Sequence, residues 1–462
     1  MDRDFESSDY QEINDLISRF EEVVSNGNSF YFDADEFEEI IDYYAFNNND
    51  KYLEKAINSA IQLFPNNPYF KLKTAERHAL FGHYFKAIRL INSVLKDEPN
   101  NLDALETLAN IYSEDGKPMM AVKTYLQMLK LGAPEASTLF SIAQEYQYFD
   151  KWEVAARYLK RILEKYPDYY NAIHELYHSF ELMGDMVSSV EYFKEFIDKN
   201  PYSTSAWFNL GVSYSNLGMF PEAIEAYDYV LAIDPYYSSA AFNKGNAFMN
   251  LGKFEDAILS FKETSIAEPE DSLTFIYIAK CHENLENFDD ALRYFFKAIE
   301  LDDTNGEAHA GIASVYHQME SPEKALGFME KAISLSPDIN EFKIAYGAIL
   351  IDLERYEEAE DVLEELIKKE TDEVDPWYFL ADIKIILEKY DSAYQLLTNA
   401  PETVQNDRKI IFKMADLLIQ MKMPKEAKVY LDQLNIIDIQ QFNQLLENPE
   451  ALDFFLNGFS PS

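Results

Sequence analysis

Apolar residues recur along most of this chain at the spacing of an amphipathic helix, in blocks that come in pairs. Each block is long enough for about three to four helical turns. A short polar or glycine-bearing break, such as residues 216–220 (NLGMF), separates the two blocks of a pair. A proline often follows the second block, where it ends the helix because it cannot continue it. The pattern predicts an all-α chain of consecutive antiparallel helix pairs.

The pairs repeat with a period of 34 residues, and no insertion or deletion interrupts it. One column at this spacing holds alanine at ten of its twelve positions, which are Leu53, Ala87, Ala121, Ala155, Ser189, Ala223, Ala257, Ala291, Ala325, Ala359, Ala393 and Ala427. Twelve residues upstream lies a second column of mostly glycine and alanine. Small residues at both places let paired helices approach closely, and the next pair completes the apolar face. The spacing therefore predicts about twelve stacked helix-turn-helix units.

One unit carries a complete signature, W-x-x-L-G-x-x-Y…A-x-x-x-Y…P, formed by Trp207, Leu210, Gly211, Tyr214, Ala223, Tyr227 and Pro235. On these residues and the period, the chain resembles the tetratricopeptide repeat family of multi-repeat bacterial type. The resemblance implies a right-handed superhelical solenoid in which the first helix of each pair lines a concave groove. We expect an N-terminal capping segment over residues 1–33, twelve repeats over 34–441, and a C-terminal capping helix and tail over 442–462.

The charge of the 462-residue chain is strongly negative, with 40 Lys and Arg against 82 Asp and Glu, a net charge of −42. Such a chain repels phosphate backbones and anionic lipids, which disfavours nucleic-acid and membrane partners, while a partner with basic segments is attracted. Its only cysteine, Cys281, falls on the buried side of a helix and allows no intrachain disulfide. The N-terminal residues do not resemble a secretory signal, and no apolar stretch is long enough for a membrane span. A cytoplasmic location is expected.

The resemblance also implies which residues face the groove, because groove residues of this family lie one, four, five and eight places into each period. The resulting candidates are uncharged and rich in amides and aromatic rings: Phe140, Gln144, Asn171, His174, His178, Phe208, Asn209, Phe242, Asn243 and Asn246. Amide side chains offer donors and an acceptor that match the backbone of an extended peptide. No lysine or arginine occupies the column of Phe208 and Phe242, which disfavours a clamp for acidic chaperone tails. We therefore expect a non-catalytic scaffold or adaptor that binds a protein segment in this groove.

A second interpretation comes from residues 174–178, HELYH, because H-E-x-x-H on a helix is typical of zinc peptidases. His174, Glu175 and His178 all fall on groove positions of the repeat, and the neighbouring first helices offer no good third zinc ligand. A metal-dependent hydrolase using these residues is thus the weaker alternative, and no cofactor is predicted. A third alternative is a sensor whose superhelical pitch responds to a bound peptide or ligand.

Tyr177 is an exception to the packing rule, because it fills the column that is glycine or alanine in ten units. In the same unit, Ser189 replaces the alanine of the second helix. A bulky side chain at this place should push the two helices apart. We therefore predict a local irregularity, with a change of superhelical pitch, in residues 170–203.

Overall fold

The computed structural model describes residues 7–26, 31–368 and 373–433, and over these residues it contains twenty-six helices and no strand. Twelve consecutive helix pairs confirm the predicted all-α solenoid of helix-turn-helix units. The first helices are α2 (Ala34–Phe46), α4 (Pro68–Leu80), α6 (Leu102–Glu114), α8 (Glu135–Tyr148), α10 (Tyr170–Met183), α12 (Thr204–Asn216), α14 (Ser238–Asn250), α16 (Ser272–Asn284), α18 (Gly306–Gln318), α20 (Asn340–Asp352), α22 (Val374–Ile386) and α25 (Arg408–Gln420).

The second helices follow the same period. They are α3 (Asp50–Leu63), α5 (Tyr84–Asp97), α7 (Pro118–Lys130), α9 (Trp152–Lys165), α11 (Met186–Lys199), α13 (Phe220–Ile233), α15 (Phe254–Ala267), α17 (Phe288–Leu301), α19 (Pro322–Leu335), α21 (Tyr356–Ile367), α23 (Tyr390–Thr398) and α26 (Pro424–Leu431). The helix α23 ends early and is followed by the single turn α24 (Glu402–Gln405). Every second helix begins 34 residues after the previous one, so local sequence sets the register throughout.

The turn inside each pair needs one residue in the left-handed conformation, and this residue always occupies the same place in the period. Glycine fills the place in five repeats, at Gly82, Gly116, Gly184, Gly218 and Gly252. The other seven repeats use residues with a side chain, namely Asn48, Asp150, Glu286, Glu320, Glu354, Glu388 and Lys422. A left-handed residue with a Cβ costs about 1–2 kcal/mol, so glycine is favoured there but packing on both sides imposes the turn without it.

The small residue of the first helix lies against an apolar side chain of the second helix, four residues after the alanine column, as at Gly211, Gly245 and Gly347. A Cβ built on Gly211 would come within 2.5 Å of Cε1 of Tyr227, and Tyr227 is fully buried. The alanine column is buried as well, as at Ala155 and Ala257. Close approach of these paired helices therefore depends on the small residue at the first column.

The chain divides into two compact units, Met1–Tyr229 and Val230–Ser462. The first unit has its largest apolar cluster around Ile142, Leu159 and Leu176, contributed by successive helix pairs. The second unit has a corresponding cluster around Phe261 and Phe295.

Helix α1 (Ser7–Asn26) lies ahead of the first pair and covers its apolar face. The ring of Phe20 is buried edge-on against Phe32 and Phe37, at centroid distances of 5.8 and 6.3 Å. This contact is the packing expected of an N-terminal cap. The boundaries 1–33, 34–441 and 442–462 stand as our proposal, and the expected C-terminal capping helix lies outside the described residues.

His282 on α16 occupies an interhelix column that holds aromatic residues in most repeats, such as Tyr146, Tyr214 and Phe248. Its ring stacks on Tyr294 of α17, with centroids 5.4 Å apart and planes 8° from parallel. Both ring nitrogens are buried and have no hydrogen-bond partner among the described residues. Burial lowers the pKa of His282, helped by Lys262 and Arg293 and opposed by Asp290.

We expect His282→Phe to raise the free energy of unfolding by about 1 kcal/mol at pH 7.5, because it removes buried polar atoms that lack partners. The gain should grow as the pH falls through 6.5, since the unfolded wild type then binds a proton that the folded ring accepts less readily. Urea unfolding of both proteins at pH 7.5 and 5.5 measures the difference. A gain that shrinks at pH 5.5 would contradict a neutral buried imidazole.

Candidate functional site

The most accessible part of the predicted groove face lies on α8 and α10 in the first unit. Asn171, His174 and His178 are three and four residues apart on α10, a spacing that puts them on one helix face. All three side chains are exposed, as is Gln144 on α8. The register therefore brings four uncharged polar side chains to the surface of neighbouring first helices.

The aromatic candidates of the first unit are half-buried, because each one packs against a ring nearby. Phe140 contacts Tyr169 with ring centroids 5.6 Å apart, and Phe208 contacts Tyr227 at 6.1 Å. Part of each ring stabilises the repeats, and the remaining part offers apolar surface next to the polar side chains.

Asn209, in contrast, is not on the surface. Its side chain is 2% exposed, and its amide nitrogen donates a hydrogen bond to the backbone carbonyl of Ile173 at 3.4 Å. The asparagine therefore joins α12 to α10 and has no free amide for a peptide. Residues five places into the period lie between the groove face and the neighbouring repeat, and here the side chain contacts the neighbouring repeat.

Three candidates belong to the second unit, all on α14. Phe242, Asn243 and Asn246 are half-buried. The ring of Phe242 packs edge-on against Phe261 and Tyr277, with centroids 5.3 and 5.1 Å away. These three residues form a polar and aromatic surface of their own, less open than the surface on α8 and α10.

The carboxylate of Glu175, the glutamate of HELYH, accepts a hydrogen bond from another residue of the protein. Gln147 of α8 donates its amide to Oε2 of Glu175 at 3.0 Å and to Oγ of Ser179 at 3.1 Å. The glutamate thus ties α10 to the preceding repeat, a role that the sequence did not suggest. Gln147 could have indicated this contact in the sequence. It precedes Glu175 by 28 residues and therefore lies on the adjacent first helix.

The two histidines differ in their surroundings. Nδ1 of His178 lies 3.4 Å from Oε2 of Glu181, and its ring is edge-on to Trp152 at 6.0 Å. Loss of water around His174 lowers its pKa, and the charge of Glu175 opposes this only in part. In the part of the chain that the structure describes, no group of three or more His, Cys, Asp or Glu side chains is arranged to hold a metal ion. A zinc site would need a further ligand that these helices do not supply.

Tyr177 opens the helix pair that contains it. Helix α10 is much less closely packed against α11 than α8 is against α9, and it packs closely on α9 instead. The Tyr177 hydroxyl donates to Oε1 of Glu181 and accepts from Nδ2 of Asn216, both at 3.0 Å. The predicted irregularity of the pair is present, and the change of pitch stays a prediction. Burial and Glu181 raise the pKa of Tyr177, so its hydroxyl is neutral at physiological pH.

Within the described residues, none of the helices combines the length and the apolar composition needed to cross a membrane. Cys281 is fully buried, as expected, and burial raises the pKa of its thiol to about 12. A neutral and inaccessible thiol is a poor nucleophile.

Comparison with known proteins places repeats of one family in both units. Models described as tetratricopeptide repeat match residues 204–237, 242–305, 306–339 and 350–417. The chain is 27% identical over 88 residues to tetratricopeptide repeat protein 8 of Caenorhabditis elegans, a match that covers 19% of this chain and 17% of that protein.

Solved structures with a similar arrangement of helices share little sequence with the chain. Yeast Tom70 is 16% identical with a TM-score of 0.42, and the match covers 84% of this chain and 96% of Tom70. A tetratricopeptide repeat protein from Parabacteroides merdae is 16% identical with a TM-score of 0.42, over 54% of this chain and 99% of the other. PilF of Pseudomonas aeruginosa is 14% identical with a TM-score of 0.39, over 45% and 94%.

Proposed function

This chain is a tetratricopeptide repeat protein, and we propose that it acts as a non-catalytic scaffold that binds an extended segment of a partner protein on its first-helix face. The observation that carries the proposal is the exposed polar surface of Gln144, Asn171, His174 and His178. These side chains are uncharged amides and imidazoles in a chain with a net charge of −42. A uniform acidic surface would suffice for solubility, so a local amide-rich face favours hydrogen bonding to a peptide backbone.

The half-buried ring of Phe140 adds apolar surface for a side chain of the same peptide. The negative charge of the whole chain favours a partner with basic segments, because it steers such a partner toward the protein and raises the rate of encounter. A cytoplasmic setting fits this function.

The proposal is tested with a triple variant, Gln144→Ala, Asn171→Ala and His178→Ala, used as bait in quantitative affinity purification from the native cell. We expect at least a tenfold loss of the partner that wild type captures, since each exposed side chain removed contributes to binding and little to folding. A matched control, Asn92→Ala with Gln127→Ala, removes two exposed amides from second helices α5 and α7 and should capture as wild type does. Undiminished capture by the triple variant would assign binding to another surface.

The hydrolase alternative makes a different prediction for the same histidines. Purified wild type should hold no stoichiometric zinc, and His178→Ala should leave its metal content unchanged. One zinc per chain that His178→Ala removes would overturn the non-catalytic assignment.

A further inference from the structure

The turns between the first and second helices of the first five repeats carry exposed apolar side chains. We call six of these exposed residues the apolar edge: Phe46, Leu80, Phe85, Met119, Tyr148 and Val187. Phe46 is 86% exposed and Phe85 is 81% exposed, unusually high values for aromatic side chains. The six residues come from five successive helix pairs, so the row continues from repeat to repeat within the first unit.

The fold does not require apolar residues at these places. Phe85, Met119 and Val187 lie seventeen places into the period, where the other repeats of the first unit hold Lys51, Glu153 and Pro221. In the second unit no apolar residue occupies this place, which holds Glu255, Asp289, Glu323, Glu357, Asp391 and Lys425. The turns of both units have a left-handed residue at the same place in the period, and their second helices begin at the same place. At the corresponding turns of the second unit, exposed apolar residues are less exposed, as at Leu251 (37%), Met319 (39%) and Ile386 (49%). Because an exposed apolar row lowers solubility without stabilising the fold, its concentration in the first unit indicates an interaction surface.

A cavity of about 420 Å³ opens beside this row, between the turns of the second and third repeats. Phe85 lines it together with Gly82, His83, Lys86, Asp115 and Lys117. Its size fits a bulky apolar side chain of a partner, with Phe85 as one wall.

The charge around the cavity is opposite to that of the chain. Two lysines and one aspartate line it, whereas acids outnumber bases by 82 to 40 in the whole sequence. Asp115 pairs with Lys117 at 2.5 Å, while Lys86 makes no ion pair with any carboxylate that the structure describes. The cavity therefore presents a free positive charge at its margin, which is complementary to a carboxylate.

We propose that the apolar edge is a second docking surface, and that its occupant is an amphipathic helix of another protein with acidic residues beside its apolar face. A bulky apolar side chain of that helix occupies the cavity, and a neighbouring carboxylate pairs with Lys86. A second copy of this chain fits poorly, because two chains with a net charge of −42 repel each other. The cavity lies on the second and third repeats, whereas the proposed peptide face lies on α8 and α10, where Tyr148 stands one turn after Gln144.

The probe for this surface is a fluorescein-labelled synthetic helix of about five turns, with leucine and phenylalanine on one face and glutamate on the other. A twin peptide carries glutamine in place of glutamate. We expect the full chain to bind the glutamate peptide more tightly than the glutamine peptide in fluorescence anisotropy, and added salt should reduce the difference. Failure of wild type to bind the glutamate peptide would overturn the proposal, and so would equal affinity for the two peptides.

Substitutions in the chain test whether the glutamate peptide binds at the apolar edge. Phe85→Ser with Met119→Ser should weaken binding of the glutamate peptide at least tenfold, and Lys86→Glu should abolish the preference for glutamate over glutamine. A matched control, Leu259→Ser with Ile266→Ser, removes two exposed apolar side chains of α15 and should bind as wild type does. Binding that survives the edge variant, or falls equally in the control, would refute the assignment.

The triple variant of the peptide face separates the two proposals. It should bind the glutamate peptide normally even though it loses the cellular partner. If it lost the glutamate peptide while the edge variant kept it, the probe would be binding the peptide face and the edge proposal would fail.

Discussion

Gly245→Ala should lower the free energy of unfolding by about 1–3 kcal/mol, although a helix interior normally favours alanine. The new Cβ would lie 2.6 Å from Cε1 of Phe261, a ring that is completely buried. Removing this steric clash requires α14 and α15 to separate, because the surrounding side chains hold the ring of Phe261 in place. Urea unfolding followed by circular dichroism measures the loss.

Gly327→Ala is the matched control, since the chain offers the same substitution in a helix interior without the contact. A Cβ on Gly327 of α19 would meet nothing within 4 Å. We expect this variant to gain about 0.5–1 kcal/mol, because alanine loses less backbone entropy than glycine on folding. Gly245→Ala combined with Phe261→Leu should recover part of the loss by vacating the space that the Cβ needs. Equal stability of Gly245→Ala and wild type would show that the paired helices are not in close contact there.

The sequence was sufficient for the register of the repeats because every helix start depends on local features. Helical periodicity, the polar break and the two small columns repeat every 34 residues, and the helices begin at the corresponding places. The irregular pair at Tyr177 was predictable for the same reason, since one bulky residue stood in a column of glycine and alanine.

Which candidate residues are exposed at the site was harder to predict, because that depends on the contacts of each side chain with neighbouring helices. Asn209 and Asn243 share one column and one residue type, yet the first is buried under Ile173 and the second is half-exposed. The sequence alone leaves Glu175 available for catalysis, whereas in the structure its carboxylate accepts a hydrogen bond from Gln147. The exposure of Phe85 could not be predicted from the sequence, since an apolar residue at a helix start is usually assigned to the core.

Glu360→Ala should lower the free energy of unfolding by about 3 kcal/mol or more, because it leaves a buried lysine without a counter-charge. Lys384 of α22 is only 8% exposed, and its ammonium group pairs with Glu360 of α21. Glu358, two residues earlier on the same helix, pairs with Arg355 at 2.7 Å on the exposed surface. Glu358→Ala should therefore change stability much less, because solvent screens an exposed ion pair, and urea unfolding of both variants gives the comparison.

The repeat also predicts how the buried pair can be replaced. Two periods before Lys384 the same place holds Tyr316, and one period before Glu360 it holds Leu326. The double variant Lys384→Tyr with Glu360→Leu restores both residue types, and we expect it to be at least as stable as wild type, since packed apolar residues often replace a buried ion pair without loss. A double variant as unstable as Glu360→Ala would mean that these helices are held by the ion pair itself, and that the repeat pattern no longer determines their packing in this part of the second unit.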